Sequence, residues 1–311
     1  MMRNAVVEIG TNSVKLIMGE NIQNTNGNED VKILFDVNVV TALGEGMKNG
    51  VMARASMERT AAAAAKFAEF AKSQGADNVF CCATMALRSA KNTEEFLKTA
   101  RNLGVPQIRI AAGEEEAALS AAAVLGSVKD ACNGRTMIFD TGGGSTEFIQ
   151  TDGGISRCAV SVPTGAVTLT DEYFRKPPVD SHTVCSVIAA LKDRFVNEGR
   201  VVHTDRIIGT GGNVTAIAMV SSGSDEYAPL KLHGSVVTEK EVMKQIALYA
   251  KCTEEERRRI RGLPPKRAGI ILGGACIVLA ALQAAEASEL TVSTSAMRHE
   301  VLKRMFSGKG F

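Results

Sequence analysis

Two ten-residue stretches of this chain align without a gap, and they constrain its fold more than any other feature. One is Glu8-Ile9-Gly10-Thr11-Asn12-Ser13-Val14-Lys15-Leu16-Ile17. The other is Asp140-Thr141-Gly142-Gly143-Gly144-Ser145-Thr146-Glu147-Phe148-Ile149. Each has an acid first, Gly third, Ser sixth and apolar residues ninth and tenth, and each follows an apolar run. Glycine and serine are common in ordinary β-turns, so one such stretch would say little. Two matched ones, each opening a comparable half of the chain, indicate an internal duplication.

The surrounding pattern agrees. AVVEI, GTNS and VKLIMGE read as strand, turn and strand, with VKILFDVNVV as a third strand. A long helix is expected from about Ala53 to Ser73, then a buried strand at NVFCCAT, a short one at QIRIAA and a helix over GEEEAALSAAAVLG. The pattern restarts with TMIFD, GGGS, TEFIQ and GGISRCAVSV. Helices follow at Ala166–Phe174 and Ser181–Asn197. DRIIG then enters a glycine turn, Gly209-Thr210-Gly211-Gly212. Further helices are expected at Glu239–Ala250, Thr253–Ile260 and Lys266–Ala285, and a last one from about Ala296 to Met305. Strands followed by strand–helix alternation, twice over, predict two α/β domains. The polar segment between Gly126 and Gly134 places the first over 1–127, joined by a C-terminal helix at about 296–311, and the second over 128–295.

The repeated turn suits phosphate and a cation. A tight hairpin puts successive backbone N–H groups on one side, and glycine lets a phosphate approach them. Asn12 and Ser13 add donors and Lys15 adds charge. Glu8, Asp140 and Glu147 are hard oxygen ligands for a divalent cation. Gly211 and Gly212 stand where a helix N-terminus can receive phosphate. A cleft between two domains is the ordinary place for such a site.

Composition limits the alternatives. The net charge of +2 gives no global nucleic-acid footprint, so an anion needs a local site. Seven cysteines without a Cys-x-x-Cys pair, and four scattered histidines, show no zinc spacing and fit a reducing compartment. The N-terminal apolar run is too short for a signal peptide, and the apolar stretch Ala268–Ala285 is broken by glycines and reads as a buried helix. A cytoplasmic protein with no membrane or nucleic-acid partner is expected. EEERRR at Glu254–Arg259 reads as a solvated helix face. The four histidines match no motif and are expected to be structural.

With these residues in view, the chain resembles the exopolyphosphatase and guanosine pentaphosphate phosphatase family (Ppx/GppA), within the acetate-kinase/Hsp70/actin superfold. EIGTNSVKL resembles its first hairpin, ATMALRSAKN its Ala-Thr-x-Ala-x-Arg segment, AAGEEEAALSAAAVLG its Glu-Glu-Ala helix and FDTGGGSTEF its second hairpin. PTGAVTLTDEYF, IIGTGGNVTAIA, RIRGLPPKRAGIIL and SAMRHEVL follow in family order, so the resemblance runs nearly end to end, to the short two-domain form. It implies a duplicated actin-like (ribonuclease H-like) α/β fold, and hydrolysis of terminal phosphoanhydrides on polyphosphate or guanosine penta- or tetraphosphate. It further implies Glu116 as the base that activates water and Arg88 as a substrate contact. Asp140 and Glu147 match the acids that organise metal and water, with magnesium or manganese as cofactor. Asn12, Ser13 and Lys15 match the first phosphate loop, and Gly142, Gly143, Gly144 and Ser145 the second. A homodimer is the common prior. Glu8 stands for the usual Asp, Lys15 for Arg, Ala118 follows where Arg is frequent, Gly269 replaces an Asp, and residues 293–298 replace a motif usually carrying Asp and Gly. These departures motivate one alternative, a polyphosphate or alarmone sensor without turnover; a small-molecule kinase of the same superfold is the other, since the glycine turn at Gly209 and the second phosphate loop would serve either.

Overall fold

The computed structural model of the chain describes residues 2–23 and 29–308. Two compact units form: residues 1–119 with 297–311, and residues 120–296. Of the expected C-terminal segment at about 296–311, residues 309–311 lie outside the described residues.

In the first unit, β1 (Arg3–Ile9), β2 (Ser13–Gln23) and β3 (Glu29–Val40) form an antiparallel meander. Helix α1 (Arg54–Ser73) leads to β4 (Asn78–Ala83). Helices α2 (Met85–Ser89) and α3 (Thr93–Asn102) lead to β5 (Ile108–Ile110), and α4 (Gly113–Leu125) follows. The sheet order is β3-β2-β1-β4-β5, with β4 parallel to β1 and β5 parallel to β4. The alanine run of α1 has a physical purpose. Ala61, Ala64, Ala68 and Ala71 are buried, and small side chains let the helix lie close to the sheet.

The second unit repeats this plan. Strands β6 (Arg135–Thr141), β7 (Thr146–Asp152) and β8 (Ile155–Val162) form its meander. Helices α5 (Ala166–Tyr173) and α6 (Ser181–Asn197) precede β9 (Arg206–Thr210) and α7 (Gly212–Ser222). After a short helix α8 (Pro229–Leu232) come β10 (Val236–Thr238), α9 (Glu239–Lys251), α10 (Glu254–Arg257), α11 (Ile271–Ala284) and β11 (Glu289–Val292). The order β10-β11-β9-β6-β7-β8 matches the first sheet strand for strand, with β10 added on the edge. The last helix, α12 (Met297–Ser307), belongs to the first unit and packs on β1 and β2 through Met297, Val301 and Leu302. The fold is therefore the duplicated α/β arrangement of the expected actin-like class.

Three expectations are corrected. The segment 266–285 is not one helix. A 3-10 turn at Pro265–Arg267 precedes α11, and Gly269, a poor helix former, stands in the break between them. Arg88, which the sequence pattern places in a turn-like segment just after a strand, lies in the short helix α2. Arg257 is 1% exposed, although EEERRR reads as a solvated face. Its Nε donates to Tyr249 O at 2.7 Å, a carbonyl in the last turn of α9, so the guanidinium caps that helix. Glu254, Glu255, Arg258 and Arg259 do form exposed ion pairs. No helix among the described residues is long and apolar enough to cross a membrane. The apolar stretch is α11, buried at the centre of the second unit. All seven cysteines are free thiols.

One glycine sets the position of the second hairpin. A Cβ on Gly165 would lie 2.3 Å from the carbonyl carbon of Gly143, in backbone that has no side chain to move aside. Gly165→Ala is therefore expected to destabilise the protein by about 1–3 kcal/mol, the usual range for overpacking. Urea denaturation measures this, and a midpoint equal to wild type contradicts it.

Candidate phosphate site

The first hairpin is closed by Gly10 N–H donating to Ser13 O at 2.9 Å, with Glu8 opposite Lys15 in register. The chain at 41–44 then takes its outer carbonyls: Thr41 and Ala42 N–H donate to Asn12 O at 3.0 and 2.9 Å, and Gly44 N–H to Thr11 O at 2.9 Å. Asn12 and Ser13 are buried, and the Nδ2 donor of Asn12 has no protein partner. An unpaired buried donor costs free energy unless a ligand or water satisfies it. Lys15 Nζ donates to Glu8 Oε1, while Glu8 Oε2 is buried without a partner. Burial alone would raise the Glu8 pKa, but Lys15, then Arg298 and His299, hold it below the ordinary carboxylate value.

The second hairpin has the same closure, Gly142 N–H to Ser145 O at 3.0 Å, and Asp140 faces Glu147 across the ladder. Its carbonyls are engaged from behind. Ala166 N–H donates to Gly142 O at 3.0 Å, and Val167 and Thr168 N–H donate to Gly143 O at 2.8 and 3.3 Å. Asn213 Nδ2 adds bonds to Thr141 O at 3.1 Å and Gly142 O at 3.2 Å. The N–H groups of Gly143, Gly144 and Ser145 find no acceptor among the described residues, which makes a concave set of donors suited to an anion. Asp140 Oδ2 accepts from Ser120 Oγ at 2.8 Å, and Glu147 Oε1 accepts from Ser161 Oγ at 2.8 Å. Glu147 is 1% exposed.

Gly211 and Gly212 close the strand-to-helix turn beside this loop. Gly211 has φ +93°, and a Cβ there would meet Thr141 O at 2.6 Å and Asp140 Oδ1 at 2.8 Å. At Gly212 the obstruction is Arg267, whose Nη2 would be 1.6 Å from a Cβ. Burial lowers the Arg267 pKa to about 10, which still leaves it charged at neutral pH. In the sequence, Arg267 sits in RIRGLPPKRAGIIL with no local pattern that marks it. The Gly-Gly pair was the only hint that a bulky group would lie over the α7 N-terminus.

In the first unit Arg88 Nη1 donates to Glu116 Oε2 at 3.0 Å and to Ala111 O at 2.8 Å. Glu115 pairs instead with Arg109 at 2.6 Å, and Glu114 is exposed, so the three consecutive glutamates have three different environments. Glu8 pairs in register with Cys82 of β4, whose thiol burial raises well above its ordinary pKa. On the same sheet, Arg298 of α12 donates to both oxygens of Asp36, at 3.0 and 2.9 Å, with His299 Nε2 at 3.4 Å. The structure thus gathers the expected residues in two groups. Glu8, Asn12, Ser13, Lys15, Arg88 and Glu116 belong to the first unit. Asp140, Gly142, Gly143, Gly144, Ser145, Glu147, Gly211 and Gly212 belong to the second.

No cluster of three or more His, Cys, Asp or Glu able to hold a metal occurs among the described residues. Magnesium keeps several waters and commonly takes only one or two carboxylates with substrate phosphate. Adjacent Asp140 and Glu147, each with one oxygen fixed by a serine hydroxyl, fit that requirement.

Comparison with known proteins gives the family of the chain. A model of the Ppx/GppA phosphatase family matches residues 22–308. The bifunctional 3-dehydroquinate synthase/phosphatase of Fusobacterium nucleatum is 30% identical over 286 residues, 88% of this chain and 42% of that protein. A guanosine-5′-triphosphate,3′-diphosphate pyrophosphatase of Vibrio atlanticus is 25% identical, over 97% of this chain and 59% of its own length. The chain spans about half the length of these curated relatives. Among solved structures, an Aquifex aeolicus Ppx/GppA family member matches with TM-score 0.80 and 29% identity, over 100% of this chain and 99% of its own. A Cytophaga hutchinsonii exopolyphosphatase shares the fold, with TM-score 0.85 and 20% identity over 99% of each chain.

The Asp36–Arg298 pair gives a pH prediction. Burial would raise the Asp36 pKa, but Arg298 and His299 outweigh it and hold the value far below 3.8. A depressed folded-state pKa contributes stability that is full above 3.8 and is lost as pH falls towards the folded value. Asp36→Asn, which removes the carboxylate that Arg298 donates to twice, is expected to cost roughly 1–3 kcal/mol at neutral pH. The gap from wild type should narrow as pH is lowered below 3.8. Urea melts across pH measure it, and a gap independent of pH contradicts the assignment.

Proposed function

Because the chain belongs to the Ppx/GppA phosphatase family, we propose that it is a hydrolase that removes the terminal phosphate of inorganic polyphosphate or guanosine pentaphosphate, with water as acceptor. One observation carries the reading: the Gly142–Ser145 loop has its carbonyls bound from behind and three N–H donors left over. Relatives that are guanosine-5′-triphosphate,3′-diphosphate pyrophosphatases support a guanosine polyphosphate as one substrate.

The roles follow from chemistry. The N–H groups of Gly143, Gly144 and Ser145 bind oxygens of the terminal phosphate, and the turn at Gly211 and Gly212 serves a neighbouring one. Asn12 Nδ2, Ser13 and Lys15 supply the donors of the first hairpin. Glu116 accepts a proton from the attacking water. Its partner Arg88 orients the carboxylate through the 3.0 Å bond to Oε2. Asp140 and Glu147 are the residues that would hold magnesium or manganese. When bound, such an ion supplies charge neutralisation on the phosphate oxygens. Most of the catalysis in phosphoryl transfer is positioning and electrostatics, which these donors provide.

The test is phosphate release from a panel of tripolyphosphate, long polyphosphate and guanosine pentaphosphate, with magnesium and manganese varied. Release without any acceptor is expected, and exhaustive chelation should abolish it. Tight binding with no release under any metal would instead make the protein a sensor. Glu116→Gln keeps the shape but cannot take a proton, so kcat should fall by about 100- to 10,000-fold with substrate binding retained. Wild-type turnover by the variant would remove Glu116 from its role.

A further inference from the structure

The end of α9 holds a buried cation with no counter-ion. Arg257 is 1% exposed. Its Nε donates to Tyr249 O at 2.7 Å and its Nη1 to Ala268 O at 3.4 Å, while its Nη2 is buried without a partner. Among the described residues no carboxylate pairs with it. Glu254, the acid that lies beside Gly269, pairs with Arg258 at 2.7 Å. A guanidinium keeps its charge, and a buried charge left unpaired costs stability.

The fork of this guanidinium opens towards Cys252. Nε–H and one Nη2 hydrogen run parallel, as they do in Arg298, which donates with the same two nitrogens to the oxygens of Asp36 at 3.0 and 2.9 Å. In Arg257 the Nε arm ends on Tyr249 O, so the Nη2 arm points to the same side. The N–H of Cys252 donates to that same carbonyl at 3.3 Å, which brings Cys252 to the mouth of the fork. Burial lowers the Arg257 pKa, and Cys252 leads the groups that oppose this, ahead of Glu254, Cys276 and Tyr249.

The thiol itself does not satisfy Nη2. Sulfur is a weak acceptor, and no bond forms between the two. An oxygen on the sulfur adds one bond length of reach and a negative charge. Access favours the same residue. Cys252 is half-buried and open to a small oxidant, whereas Cys276, the other thiol near Arg257, is fully buried.

We propose that Cys252 is a modification site, oxidised by peroxides to a sulfenate that the Arg257 fork holds. The thiol gives its proton to water, and the sulfur attacks one oxygen of hydrogen peroxide. The S–O bond forms as the O–O bond breaks, so sulfur loses two electrons and the peroxide gains two. The leaving hydroxide takes the proton from the new S–OH and departs as water. Nη2 then donates to the sulfenate oxygen in a charge-assisted bond.

The test uses the whole chain, reduced and then treated with one equivalent of hydrogen peroxide. Catalase removes the excess, dimedone traps sulfenates, and peptide mass spectrometry locates them. The adduct on Cys252 should exceed that on Cys132, Cys158 or Cys185 by about tenfold or more, the scale of one hydrogen bond to a charged group, although Cys132 and Cys185 are more exposed. The oxidised, untrapped protein should melt about 2–4 °C above the reduced one, because the buried guanidinium gains its anion. Cys252→Ser should lose both the adduct and the shift. Arg257→Lys, which keeps the charge without the fork, should bring the Cys252 adduct down to the level of the other thiols. An even spread of adduct over the four reachable thiols overturns the proposal, as does a Cys252 adduct with no rise in the melting midpoint. Both are read on wild type, so they decide even where Arg257→Lys does not fold.

Discussion

The hydrogen bonds behind the second glycine loop are the constraint on which the rest of the second unit depends. Backbone carbonyls next to a phosphate site would repel the ligand. Here the N-terminus of α5 and the side chain of Asn213 take those at Thr141, Gly142 and Gly143, so the loop presents donors and not acceptors. This requires α5 to approach within contact of Gly143, which only a glycine at 165 allows. It also requires Asn213 to be buried, which α7 achieves by starting directly after the Gly211–Gly212 turn. The loop, the turn before α5 and the turn before α7 are therefore one mechanical unit.

In the first unit the organising force is charge. Glu8, Lys15 and Asp36 lie on one sheet with Arg298 and His299 of α12 laid over it, and Arg88 of α2 pairs with Glu116 at the start of α4. Partly buried ions of one sign would be costly. Alternation of sign makes the group tolerable, and it leaves Glu8 Oε2 and Asn12 Nδ2 unsatisfied. Those two atoms are where a ligand or ion gains most, because their desolvation cost is already present in the folded protein.

Much of this was legible in the sequence. The matched hairpins predicted two halves, and the strand orders β3-β2-β1-β4-β5 and β8-β7-β6-β9-β11 are the same plan twice. Hairpins are local, so Gly10, Gly142 and their serines could be read without tertiary information. What could not be read depends on distant contacts. Arg257 looks like its neighbours Arg258 and Arg259, and only the end of α9 makes it a buried cap. Arg267 is invisible as a site residue until Gly212 is seen to leave room for it. Strand β10 is three residues long and is fixed by pairing with β11, not by its own pattern. The roles of Glu116 and Arg88 came from resemblance, since three adjacent glutamates at a helix start are indistinguishable by propensity.

The central claim is that water attacks the terminal phosphorus of a phosphoanhydride. Turnover of guanosine pentaphosphate or tripolyphosphate in water enriched in the heavy oxygen isotope tests it most directly. If the account is right, each released orthophosphate carries one solvent oxygen and the shortened product carries none. Label in the shortened product, or phosphate released only when an alcohol acceptor is present, would contradict it.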